Sequence, residues 1–348
     1  MIMDDLKKRG LPALFVEGMK WEERRAELME LLCENQYGYG PDLPVNVRCG
    51  EIKVKKDDYG GIADTYCLHV FAENHFAYAA WPITLSIPKG KEKVPVFLFL
   101  SFSDSCPCGE ELLSRGYALA VIPYQGIVPD CDDQFQNGLA KLNVFRNPYN
   151  SWAKISMWAY GVRYCIDAVS TYHEIDTDRI AVIGHSRLGK AAFWAGATDE
   201  RIALTIAAGS GAGGAALFHG KQGEKIDNLV KNFPYWFCGN FKQYADKEEE
   251  LPYDAHMTAA LIAPRHLYIS SASEDLWADP ASEFLTVCAV NEVYERLGEK
   301  GLSIPKDDPE AGDVFHEGKI AYHIRKGTHY LSRTDWNLYM DYRDKWNI

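Results

Sequence analysis

Hydrophobic and polar positions along the chain follow two different periods, and the switch between them orders the expected elements. Over residues 21–35 apolar and charged residues alternate with a helical period until Tyr37-Gly38-Tyr39-Gly40-Pro41 breaks it, so an N-terminal helix should end there. Residues 45–54 and 66–71 have strand-like content, and Ala79, Trp81, Ile83, Leu85 and Ile87 alternate before Pro88-Lys89-Gly90 turns the chain. These segments predict an antiparallel opening to a sheet. Alternation then gives way to unbroken apolar runs at 94–100 and 117–122, as expected of strands buried on both faces.

After Pro123 a loop rich in Asp, Asn, Gln and Tyr runs to Asn150, long enough to carry function. Residues 152–172 then read as a strong amphipathic helix. A polar approach at 175–180 leads into a short strand at 180–183, and Gly184-His185-Ser186-Arg187-Leu188-Gly189-Lys190 opens a helix through Ala197. Strands at 202–207, 267–270 and 320–324 and a helix at 280–297 complete the alternation. Strands alternating with helices predict a mostly parallel central sheet covered on both faces, a three-layer α/β sandwich. The whole of 1–348 reads as one catalytic-sized domain, with an N-terminal helix in 1–40 and an irregular, aromatic-bearing insertion at about 213–253.

Composition removes several classes of function. A formal charge of −12, with scattered basic residues, argues against a nucleic-acid partner, which needs clustered Lys and Arg. No apolar run approaches the roughly 20 residues that cross a bilayer, so no membrane partner is expected. The opening Met1-Ile2-Met3-Asp4-Asp5-Leu6-Lys7-Lys8-Arg9 lacks a basic region followed by an apolar core, and the expected location is the cytoplasm. The nine cysteines include no Cys-x-x-Cys pair, and Cys106-Pro107-Cys108 has no matching pair at zinc-like spacing. Reduced cysteines are expected, with neither metal nor cofactor.

The candidate chemistry centres on Ser186. A serine hydroxyl becomes a useful nucleophile when a sharp turn between a buried strand and a helix holds it exposed beside a base. The helix start also aims backbone N–H groups at the reaction centre, which makes Arg187 N–H a natural oxyanion donor. A second donor is expected near Phe102 and Ser103, after the strand at 94–100. The usual Gly-x-Ser-x-Gly spacing is not met, because Leu188 takes the last position and the glycine moves to Gly189; read alone, Ser186 could be a helix cap. The chain order serine, acid, histidine decides for catalysis. Asp275 follows the strand at 267–270, and His329 lies in Lys326-Gly327-Thr328-His329-Tyr330 near the C-terminus. Glu274 and Asp279 stand close enough to Asp275 that spacing alone does not choose the acid. Together the pattern is that of the α/β-hydrolase fold.

Gly184-His185-Ser186-Arg187-Leu188-Gly189-Lys190-Ala191-Ala192 resembles the Gly-Cys-Ser-Arg-x-Gly-Lys-x-Ala signature of the glucuronoyl esterases, carbohydrate esterase family 15, with His185 in place of the cysteine. The likeness continues through Ser210-Gly211-Ala212-Gly213-Gly214, Leu251-Pro252-Tyr253-Asp254-Ala255-His256 and Asp275-Leu276-Trp277-Ala278-Asp279-Pro280, and explains the displaced glycine. It implies a metal-free serine esterase acting on 4-O-methyl-glucuronoyl esters. It further implies Ser186 as nucleophile, Arg187 as oxyanion stabiliser through backbone and side chain, Lys190 as a sugar-hydroxyl contact and Trp277 as a wall of the sugar pocket. Many members carry a catalytic glutamate directly before the Ser-Gly-x-Gly-Gly segment. Here that position is Gly209, so the acid must come from elsewhere, with Asp275 available. Two other readings remain at this point: an acetyl esterase on acetylated xylan fragments, and a hydrolase-fold binding protein that has lost turnover.

Overall fold

The apolar runs of the sequence pair with one another in a single twisted sheet. The computed structural model describes residues 2–41, 43–305 and 308–348. Among them, ten strands are present: β1 (Asn46–Asp58), β2 (Ala63–Glu73), β3 (Tyr78–Pro88), β4 (Val94–Ser101), β5 (Ala118–Pro123), β6 (Ile175–His185), β7 (Ile202–Ala208), β8 (His266–Ala272), β9 (Val314–Phe315) and β10 (Ile320–Arg325). They stand side by side in the order β1-β2-β3-β5-β4-β6-β7-β8-β10-β9. β1, β2 and β3 pair antiparallel, as the alternating opening predicts, and β3 also pairs antiparallel with β5. β5, β4, β6, β7, β8 and β10 are mutually parallel, and these carry the continuous apolar runs.

Both faces of the sheet are covered, as strands apolar on both sides require. On one face, helices Lys154–Val169, Arg187–Thr198 and Pro280–Arg296 bury Trp158, Trp194 and Val290 in the larger core. On the other, Phe97, Phe99 and Ile183 pack with Trp336, Tyr339 and Met340 of the C-terminal helix Arg333–Trp346.

Three elements differ from the sequence expectation. β6 takes in the polar approach at 175–179, because Asp176 and Arg179 pair with each other (2.7 Å) and Arg179 also bonds Asn347 at the rim of the sheet, where charge meets solvent. The C-terminal helix was not among the expected elements, although Trp336, Tyr339, Met340 and Arg343 stand at helical spacing and Ser332 and Asp335 form a capping box. The N-terminal part holds two helices, Ile2–Lys8 and Trp21–Leu32, the second continued by a π-helical turn to Tyr37. The 213–253 stretch is largely irregular, with one short α-helix at Ile226–Asn232 and two 3-10 helical turns at Gly239–Tyr244 and Glu248–Glu250.

Among the described residues no helix is long and apolar enough to cross a membrane. Because β6, β8 and β10 run parallel, their C-terminal ends open on the same edge of the sheet, and Ser186, Asp275 and His329 follow those three ends.

Candidate active site

Ser186 stands between β6 and the helix Arg187–Thr198 with φ 59° and ψ −129°, a left-handed conformation that a residue with a side chain adopts only at a cost of about 1–2 kcal/mol. Two glycines permit the turn. A Cβ at Gly184 would lie 2.1 Å from the carbonyl oxygen of Leu188, and one at Gly189 would crowd Ser210 and Ala208 at 3.0 and 3.1 Å. The displaced glycine of the sequence motif therefore lets the helix approach the end of β7. Ser186 N–H donates to Ala208 O (2.9 Å), which fixes the serine to the neighbouring strand.

Three side chains meet at this edge. His329 Nε2 lies 2.7 Å from Ser186 Oγ, and His329 Nδ1 lies 2.5 Å from Asp275 Oδ2. With Nδ1–H donating to the carboxylate, Nε2 is free to accept the serine proton. Asp275 is 6% exposed. Burial pushes its carboxyl up, but the hydrogen bond and charge of His329 outweigh this and hold it below the ordinary value, so it is ionised at neutral pH. The choice among the three neighbouring acids follows from the chain path. Asp275 N–H bonds back to Ala272 O (3.0 Å) at the end of β8, Glu274 is exposed, and Asp279 accepts from Ser282 N–H (3.1 Å) as the cap of the helix Pro280–Arg296. His185 lies against His329 with ring centroids 4.6 Å apart. Burial, then the neighbouring imidazole, pushes His185 down to about 4, so it is neutral beside the reacting histidine.

Arg187 begins the helix, and its N–H has no intrahelical acceptor. Its guanidinium bonds Asp130 (2.5 Å) and lies over the rings of Phe233 and Trp236, with the side chain 29% exposed. Asp130 also accepts from Trp236 Nε1–H (2.8 Å) and from Tyr124 O–H (3.0 Å), and Tyr124 meets Phe102 edge-on, so the segment after β4 is tied to the same arginine. Trp277 is 55% exposed and, with Leu276, Gln222 and Phe284, lines a cavity of about 920 Å³. Lys190, expected as a sugar-hydroxyl contact, lies in the protein interior. It is 3% exposed, and its ammonium donates to the carbonyls of Ser210 (2.6 Å) and Ala212 (2.5 Å), with Glu224 at 3.5 Å.

Two members of the site were not legible in the sequence. Asp130, at the start of the 130–150 loop, is 57 positions from the arginine it holds, and nothing local marks it. Glu283 is wholly buried, and accepts from Ser271 O–H (2.6 Å) and Gly211 N–H (2.9 Å). It and Lys190 meet the same loop after β7, which is held through its carbonyls by the lysine and through its N–H by the glutamate. Its place in the helix after Asp279 gave a faint signal, being a charged residue among Phe284, Leu285 and Val287.

A left-handed serine at a strand-to-helix turn, with a carboxylate after β8 and an imidazole after β10, defines an α/β-hydrolase carrying a Ser-His-Asp array. The family model described as glucuronyl esterase, fungi, matches residues 70–298. A carbohydrate esterase from an unknown prokaryotic organism is 34% identical over 96% of this chain and 88% of its own length. A 4-O-methyl-glucuronoyl methylesterase of Schizophyllum commune is 29% identical over 80% of this chain and 69% of its own. The solved glucuronoyl esterase from Solibacter usitatus superposes with a TM-score of 0.87, at 31% identity, covering 96% of this chain and 97% of the other. The chain belongs to the glucuronoyl esterase family, whose members are carboxylic ester hydrolases.

Proposed function

We propose that this protein hydrolyses esters of hexuronic acids, 4-O-methyl-glucuronate foremost, through an acyl-enzyme on Ser186. The observation that carries the reading is the chain of contacts from Asp275 through His329 to Ser186 Oγ, at 2.5 and 2.7 Å, on a strained turn at the sheet edge. The hexuronate acyl group is supported by a relative named for it, the 4-O-methyl-glucuronoyl methylesterase. Trp277, two residues after the acid Asp275 and 55% exposed, gives a flat apolar face of the kind on which a sugar ring stacks.

In the first half-reaction His329 Nε2 takes the Oγ proton as Ser186 attacks the ester carbonyl carbon. Negative charge moves to the carbonyl oxygen, toward the Arg187 N–H and the positive end of the helix. The Arg187 guanidinium adds fixed positive charge there, and Asp130, Phe233 and Trp236 keep it from swinging away. The imidazolium then gives its proton to the leaving alcohol, and the ester C–O bond breaks. Water attacks the acyl-enzyme with His329 again as base, and release of the uronate restores the serine. Asp275 stays ionised throughout, holding the histidine tautomer and the transient positive charge. The substrate is a small-molecule or oligosaccharide ester.

The test is initial-rate hydrolysis of benzyl glucuronate beside 4-nitrophenyl acetate by the wild type and Ser186→Ala. Turnover of the glucuronate that disappears in the variant is expected. Turnover of acetate alone would move the protein to deacetylation, and no turnover of either ester would sink the enzymatic reading.

A further inference from the structure

The loop carrying His329 is held by a buried ion pair outside the acid–histidine–serine chain. Arg325, the last residue of β10, is 7% exposed, and Asp335, in the first turn of the C-terminal helix, is 3% exposed. Arg325 Nε–H donates to Asp335 Oδ2 (2.9 Å). Its Nη2 donates to the carbonyl oxygens of Thr328 (3.0 Å) and Tyr330, the residues on either side of His329, and Nη1 donates to Lys326 O (3.2 Å). The guanidinium carbon lies 3.9 Å from the centre of the Tyr330 ring. Asp335 is itself fixed. His323, buried within β10, reaches its Oδ1 at 2.8 Å, and Ser332 donates to Oδ2 through both N–H and O–H at 2.6 Å.

We propose that Arg325 and Asp335 are a positioning pair for the general base: one planar guanidinium brackets the peptide carbonyls on both sides of His329 and sets where its imidazole stands. This rests on the hydrolytic reading above. Three features support it beyond ordinary packing. The side chain of His329 is 43% exposed and is met by Asp275 and His185 on one side only, so its position depends also on the backbone that carries it. The fork satisfies three carbonyls of a five-residue loop with one side chain, a geometry that a lysine ammonium, as a point donor, reproduces poorly. The clamp also stands where the backbone of the base's loop meets that of the acid's. Arg325 O accepts from Ser273 N–H and Gly327 O from Glu274 N–H, both at 2.9 Å, so the loop bearing Asp275 is bonded to the loop bearing His329 beside the clamp.

Displacing a base by about 1 Å costs on the order of 10²-fold in rate. Arg325→Ala is therefore expected to lower kcat on benzyl glucuronate by that order while KM stays near the wild-type value. Phosphonylation of Ser186 by a fluorophosphonate, which also needs the base, should slow in the same ratio. Guanidinium ion below denaturing concentration should restore part of the rate to Arg325→Ala and none to Arg325→Lys, whose kcat falls less. A folded Arg325→Ala that turns over at the wild-type rate, or whose loss guanidinium leaves untouched, would overturn the proposal. If Arg325→Ala does not fold, Arg325→Lys decides: lowered kcat at unchanged KM supports the clamp, and wild-type kcat removes it. Wild-type enzyme idle on every ester would instead defeat the hydrolytic reading itself, an outcome seen before any variant is made.

Discussion

Replacing Asp275 by asparagine changes one atom and should reverse the polarity of the whole proton chain. The carboxylate accepts from His329 Nδ1–H at 2.5 Å, which leaves Nε2 as the acceptor facing Ser186 Oγ at 2.7 Å. An amide of the same size can donate through its nitrogen, so the favoured tautomer becomes Nδ1 as acceptor and Nε2–H as donor. The serine proton then has no base to go to. Where this inversion has been made in a serine protease triad, kcat falls by about 10⁴, which corresponds to about 5 kcal/mol in the barrier. A loss of that order is expected here. KM should hardly move, because Asp275 is 6% exposed and lies behind His329. The assay is steady-state hydrolysis of benzyl glucuronate, with circular dichroism to establish that the variant is folded. A folded Asp275→Asn within about tenfold (1.4 kcal/mol) of wild type would refute the assignment. Glu274→Gln serves as the control: its side chain is exposed, and it should retain full activity.

Two further outcomes follow from buried charges. Burial pushes the Glu283 carboxyl up from an ordinary 4.5 to about 7, so folding favours its protonated form; the stability this gives is fully present below about pH 4.5 and is lost as pH rises through about 7. Thermal unfolding of wild type should therefore show a loss of about 3 kcal/mol across that window that Glu283→Gln lacks, and parallel pH curves for the two proteins would contradict it. Lys190 holds the carbonyls of Ser210 and Ala212 from a buried position, and Lys190→Met leaves both unsatisfied at a cost of about 2–5 kcal/mol. A lowered Tm is expected in denaturation curves along with any loss of activity, whereas an unchanged Tm with raised KM would make Lys190 a ligand contact alone.

The parts of this molecule that the sequence announces are those set by local rules. Unbroken apolar runs marked β4 and β5, alternation marked β3, and the glycines around Ser186 marked the elbow, since each depends on neighbours a few positions away. What stayed hidden depends on distant partners: Asp130 under Arg187, the carbonyls that absorb Lys190, and the choice among Glu274, Asp275 and Asp279. Gly209 lies between the two kinds. The resemblance to the family places a glutamate there in many members, and the structure shows where its side chain would point. Gly209 has φ 48°, and a Cβ on it would stand 3.8 Å from Asp275 Oδ2 and 3.5 Å from His185 Nε2. A carboxylate at either position thus converges on one spot beside His329, and two together would repel. From this we expect that Gly209→Glu in the Asp275→Asn background recovers part of the lost kcat, while Gly209→Glu alone does not raise it. The left-handed backbone charges about 1–2 kcal/mol of stability for any side chain, so a modestly lower Tm should accompany the gain. A folded double variant as slow as Asp275→Asn would mean that position 209 does not reach the histidine, and that β8 alone can supply the acid in this chain.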